Sequence, residues 1–275
     1  MSLIAPAGPT SAAVLAADFP PTPGTFWQPW VVFGEVQLFG LDVTLAITRP
    51  MVVLTLSMVL IGLWLHLTTR RVATVPGKGQ WLTEQVHGFV RNGVARDMIG
   101  SQHYLPYVPF LFSLFVVILF NNWAGIIPPV NLPTFGRVGM AIALVLIVYV
   151  LYHAIGFRRH GFVGYFKFMV PAGLPVLVVP FVFILELMTF FITRPLTLSL
   201  RLFGNMFAGH MLVLVVTLGA WELFTSGGLM TLLAFPTWIG ALLVFVFEAL
   251  IQAIQAYVFI LLTASYIGAA LADDH

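Results

Sequence analysis

Two apolar segments, 174–221 and 229–271, each run for more than 40 residues with scarcely a charge. Wound as α-helix at 1.5 Å per residue, each would be about 60 to 70 Å long, twice the hydrocarbon thickness of a bilayer. A globular core in water does not accommodate stretches of that length, so the chain folds in a membrane. Either each segment doubles back into two spans, or each is one long helix lying steeply across the bilayer. Pro195 and Pro236 mark places where a break is tolerated if neighbouring groups satisfy the freed carbonyls. Periodicity does not choose between the two.

Three shorter apolar runs, 48–68, 105–127 and 138–157, each have the length of one ordinary span. With only 8% charged side chains against 60% hydrophobic ones, the fold class is an all-α polytopic membrane protein. It has about five transmembrane helices plus interfacial amphipathic helices. Between the first two runs, Leu82, Val86, Phe89, Val94 and Met98 recur near helical spacing. Glu84, His87, Arg91, Arg96 and Asp97 fill the positions between them, which fits a helix lying in the interface, with a solvated loop as the plainer alternative. Residues 1–46 are rich in Pro, Ala and Gly and read as an outer-side leader, ahead of a membrane domain over 47–275. Leu15 to Asp18 has the small-residue look of a cleavage site, but no basic stretch precedes it.

Orientation follows from the basic residues. Arg70, Arg71, Lys78, Arg91 and Arg96 lie in one loop and Arg158, Arg159 and Lys167 in another, leaving only Arg49 and Arg137 to flank the opposite side. The positive-inside rule then puts both basic loops and the carboxyl terminus in the cytoplasm and the amino terminus outside, in the plasma membrane.

That count leaves Arg194 and Arg201 within the membrane. An Arg at the bilayer centre costs roughly 2.5 to 3.5 kcal/mol on insertion scales, so it faces a polar cavity or a partner; snorkelling, or bridging to a carboxylate, is the structural alternative. On one helix Arg194, Arg201 and Asn205 share an arc of about 40°, with His210 roughly opposite Arg201. In the last segment Glu248, Gln252, Gln255 and Tyr266 share a face within about 60°. A membrane carboxylate beside amides suits a proton path or ion site, because the acid needs hydrogen-bonding neighbours in either protonation state. Glu186 reads either as part of a proton exit or as an ion pair with Arg194. Asn121, Asn122 and Asn131, at the outer end of the second span, read as lining a watery vestibule or as helix-end caps.

Other functions lack support. The chain has no Walker loop, GxSxG elbow, HExxH or dinucleotide fingerprint, so no catalytic nucleotide or hydrolytic centre is expected. Zero cysteines and no paired-ligand spacing argue against a metal or other cofactor, and scattered basic residues argue against nucleic acid. A secondary transporter would show internal repeats, which are missing. A membrane hydrolase would need Ser199 and His210 to meet, yet they lie about 16 Å apart along a continuous helix.

RPLTLSLRLFGNMFAGH (194–210) with FEALIQAIQAYVFILLTASYI (247–267) resembles subunit a of the F-type ATP synthase, and NNWAGIIP (121–128) agrees. The resemblance covers nearly everything beyond residue 46. It implies a non-catalytic stator subunit whose two long, tilted helices form a hairpin against a ring of c subunits, with peripheral-stalk subunit b and the remaining synthase subunits as partners. Arg201 falls on the essential arginine of the family, implied to draw each ring carboxylate into its ionised form and to separate two aqueous half-channels. His210, Glu248 and Gln255 fall on the outer half-channel, with Gln252 on the same face and Asn205 close by. Glu186 falls near the cytoplasmic acid, one residue further from Arg201 than in some relatives. In some members the acid stands at the position of His210 and the histidine at that of Glu248, so the pair is exchanged here.

Overall fold

The computed structural model describes residues 29–38, 41–70, 72–127, 134–170, 175 and 177–272. Ahead of the first span, β1 (Pro29–Leu38) and β2 (Leu41–Thr48) pair antiparallel, from Pro29 opposite Thr48 to Leu38 opposite Leu41. Glu35 to Leu38 and Asp42 to Leu45 alternate polar and apolar, the period-2 pattern of a strand, within stretches rich in β-branched residues. The sequence reading, tuned to runs long enough to span, had no strand here. Residues 1–28 of the leader lie outside the described residues.

Thr48 is extended and hands the chain to α1 (Arg49–Thr69), with Pro50 in its first turn, where a missing N–H costs nothing. Gln80 then clasps the connection: its Oε1 accepts from the Ala73 N–H at 3.2 Å and its Nε2 donates to the Ala73 carbonyl at 3.1 Å. It belongs to α2 (Lys78–Val90), which continues through a π-helical turn (Arg91–Ala95) into the short α3 (Arg96–Ile99). The helix expected here is present, but its buried stripe is Val90, Val94, Ala95 and Ile99. Leu82 and Met98 are exposed, and Phe89, partly exposed, packs its ring against Phe115 and Tyr257 at 5.8 and 5.7 Å between centroids.

α4 (Val108–Ile126) is the most enclosed of the shorter spans, with Leu111, Ile118, Asn121 and Asn122 fully buried. α5 runs from Val138 to Phe168, well past the expected end at 157. Gly161, at φ 69°, reverses the chain inside what reads as a basic loop, and Tyr165 folds back onto Gly156, where a Cβ would overlap its ring. Its hydroxyl meets His153 Nδ1 at 2.8 Å.

The two long apolar segments are each one continuous helical path. α6 (Val179–Met188) passes through a π-turn (Thr189–Thr193) into α7 (Arg194–Thr225), giving a 47-residue span over Val179–Thr225. α8 covers Leu229–Leu271 without a break at Pro236. Pro195 sits in the first turn of α7, where it too is harmless. Gly227 and Gly228, both with positive φ, make the reversal between α7 and α8. Among the described residues, five helical paths are long and apolar enough to cross a membrane. The last two fit a roughly 30 Å layer only when inclined.

Between membrane helices, lipid is as apolar as leucine, so close packing rather than expulsion from water holds the bundle. α8 supplies it with small residues: Ala234, Ala241, Ala256, Ala264 and Ala270 are buried along its length. α8 packs against α7 over its longest seam and also crosses α4 and α5. At Gly268 it comes so close to α3 that a Cβ would overlap the Met98 carbonyl oxygen.

Candidate functional site

Glu248, Gln252 and Gln255 stand at i, i+4 and i+7 on α8, which puts them on one face, and the fold buries all three. Gln252 Nε2 donates a short hydrogen bond to Glu248 Oε1. The Glu248 carboxyl group lies directly on Gly209 of α7, where a Cβ would overlap its carbon and both oxygens. Gly209 thereby makes the space for the acid and sets it beside the residue that carries His210. His210 is 4% exposed, and its Nδ1 lies 3.1 Å from the Gly125 carbonyl oxygen of α4.

α4 closes the cluster. Asn122 donates to the Gln252 carbonyl at 3.2 Å and Trp123 Nε1 to the Ala249 carbonyl at 3.1 Å. Asn121 turns the other way, donating to Ser57 Oγ of α1 at 2.8 Å and to the Val117 carbonyl at 2.8 Å. Asn131 lies outside the described residues. Asn122 Oδ1, Gln252 Oε1 and Gln255 Nε2 are buried with no protein partner. Each such atom costs about 1 to 3 kcal/mol if left dry, and buried water is what ordinarily satisfies it. An acid, an imidazole and amides with spare donors and acceptors are the chemistry of a hydrated proton relay.

Arg201 stands elsewhere. It is exposed on α7, with exposed Leu212 on the same face three turns on. Asn205, one turn on, is half-buried. A guanidinium exposed halfway along a membrane-length helix calls for an anionic partner from outside the chain.

Arg194 does not point with it. Its guanidinium carbon lies 3.5 Å from the Phe190 ring centroid, one turn back, and 5.1 Å from that of Tyr266. Nη1 is buried without a hydrogen-bond partner, so Glu186, half-buried on α6, does not pair with it. A long side chain at the head of a helix reaches back over the preceding turn, and stacking on aromatic faces compensates part of its lost hydration. Tyr266 belongs to this second cluster. It shares an arc with Glu248 but sits 18 positions along α8, about 27 Å away. Tyr152, 5.7 Å from Tyr266 between ring centroids, bonds the Phe190 carbonyl at 2.9 Å.

Sequence reasoning passed over Gly209, Gly125, Trp123 and Ser57. A glycine offers no side chain to flag, and only the fit of Glu248 against it reveals the need. Among the described residues, no three of His, Cys, Asp and Glu gather closely enough to bind a metal ion.

A family model described as ATP synthase A chain matches residues 51–268. Among curated proteins, ATP synthase subunit a of a Nocardioides species is 41% identical over 263 residues, 93% of this chain and 94% of that one. The subunit a of Pseudarthrobacter chlorophenolicus is 44% identical over 236 residues, 83% and 86% of the two chains. That of Rhodococcus erythropolis is 34% identical over 274 residues, 96% of each.

Proposed function

Since this chain belongs to the ATP synthase A chain family, multi-pass membrane subunits of ATP synthase, we propose that it is the stator through which protons cross to turn a c-ring. The observation that carries the reading is the division of its polar groups. Glu248, His210, Gln252 and Gln255 are buried inside the bundle, whereas Arg201 is exposed on α7.

The buried groups form the outer half-channel, with Asn205 and Asn122 beside them, and Glu186 stands at the cytoplasmic one. A proton entering from outside passes through water and the Glu248–His210 pair to a carboxylate on the ring. After nearly a full turn of the ring it leaves on the cytoplasmic side. Arg201 meets the ionised ring carboxylate, bars direct passage between the half-channels, and so ties charge movement to rotation. The membrane potential supplies about 2.3 kcal/mol per charge per 100 mV, and this barrier is what prevents its dissipation. ATP is made on other subunits, and this chain is non-catalytic. The amino terminus faces outward across the plasma membrane, following the basic loops 70–103 and 158–167. Peripheral-stalk subunit b holds the chain against the torque of the ring.

Passive proton conduction tests the path. In vesicles stripped of the soluble head and energised by a potassium diffusion potential, Glu248→Gln and His210→Leu should each conduct far more slowly than the native chain at equal membrane content. Native conduction in both would refute the path.

A further inference from the structure

The π-turn between α6 and α7 leaves one carbonyl without a backbone donor. In an α-helix the Phe190 carbonyl would be closed by the N–H four residues on, that of Arg194. The Arg194 N–H instead bonds the Thr189 carbonyl, five residues back, which is what makes the turn π-helical. The next candidate, five residues beyond Phe190, is Pro195, which has no N–H. Another helix takes the carbonyl: the Tyr152 hydroxyl of α5 donates to it at 2.9 Å, with both residues buried.

A π-turn takes in one residue more than an α-turn, so it resets the angular phase of what precedes it by about 100°. The buried face of α7 shows the effect. Leu198, Leu202 and Met206 span an arc of about 80°, and Phe190, buried like them, stands eight positions before Leu198. Unbroken α-winding would put Phe190 about 80° outside that arc, whereas with one residue taken up it falls about 20° inside. Glu186 is swung through the same angle. Over the fifteen positions to Arg201 it stands about 40° to one side of that residue, rather than about 60° to the other. We infer that the Thr189–Thr193 turn, pinned by Tyr152, is a one-residue phase adjuster that sets Glu186 against Arg201. Tyr152 is thereby a positioning residue for proton release on the cytoplasmic side. The inference deepens the proton-path reading and rests on it.

Phe-Phe occurs once in this chain, at 190–191, so phenylalanine labelled with ¹³C at the carbonyl and with ¹⁵N marks the Phe190 carbonyl as one coupled pair. The test is NMR of that pair in the whole complex in lipid, assigned by its loss in Phe191→Leu and read beside ATP-driven pumping per assembled complex. Tyr152→Phe removes only the hydroxyl. It should shift the Phe190 carbonyl signal and lower pumping by about two- to tenfold, the range of one neutral hydrogen bond. Deleting Ile192, exposed within the turn, removes the surplus residue and returns the helix to α-winding with Glu186 and Arg201 in the same phase. Added to Tyr152→Phe, the deletion should restore pumping to about half the native rate or better, which a mere packing role for Tyr152 would not allow. An unmoved carbonyl signal, native pumping in Tyr152→Phe, or a double variant no better than the single one overturns the inference. Because the carbonyl is read without conduction, native pumping in Glu186→Gln would remove Glu186 from the proton path while leaving the bond from Tyr152 to Phe190 standing.

Discussion

Adding one methyl group at Gly209 should disable proton transfer without touching any titratable residue. A Cβ there overlaps the carboxyl carbon and both oxygens of Glu248 at once, so the acid itself must move from its place. Either α7 and α8 part along their longest seam, or Glu248 swings out and abandons the Gln252 amide. Overpacking of this kind costs about 1 to 3 kcal/mol, and losing a hydrogen bond to an ionisable group falls in the same range. Charged against the state in which Glu248 loads its proton, that is a slowing of roughly 5- to 160-fold at 1.36 kcal/mol per decade. The assay is ATP-driven acidification of inverted vesicles carrying the whole complex, normalised to ATPase head and to the amount of this chain. Gly62→Ala serves as the control, because a Cβ there meets nothing within 4 Å. Glu248→Asp in the Gly209→Ala background shortens the acid by one methylene and should recover part of the rate. Pumping by Gly209→Ala within twofold of native would refute the reasoning, as would a double variant no better than the single one.

Gly268→Ala sets a Cβ against the Met98 carbonyl, backbone on both sides, so neither can rotate away; a cost of about 1 to 3 kcal/mol should lower the thermal midpoint of the purified complex, and an unmoved midpoint would contradict the close approach of α3 and α8. Asn121→Ala removes the amide that bonds Ser57 across α1 and α4, worth about 1 kcal/mol; the yield of assembled complex should fall while pumping per assembled complex stays native, and a collapse of pumping per complex would place Asn121 on the path instead.

The five spans were legible because the length of an apolar run is a direct physical ruler for a bilayer. The face shared by Glu248, Gln252 and Gln255 was legible because i, i+4 and i+7 superpose on any helix. The same arithmetic puts Tyr266 on that face, but an arc carries no information about distance along the axis, and Tyr266 lies about 27 Å further on. Arg194 followed the same pattern: it shares an arc with Arg201, yet its long side chain turns back onto Phe190. Leu82 and Met98 look like part of a packing stripe but are exposed, because in a membrane an apolar side chain is equally at home against protein or lipid. Two features escaped for want of a long signal: the period-2 pattern of the hairpin ahead of α1, and the single Gly161 that turns a basic loop back onto α5. Gly209 lies inside the motif 194–210, but nothing in its pattern shows that it makes room for the acid on which the site depends.

The central claim is that Arg201, exposed on α7, couples proton movement to rotation. ATP-driven acidification of vesicles containing the whole complex, native against Arg201→Ala at matched assembly and ATPase content, tests it most directly. The account predicts that pumping disappears while the complex remains assembled. Pumping at near-native rate would contradict it and leave Arg201 a structural charge.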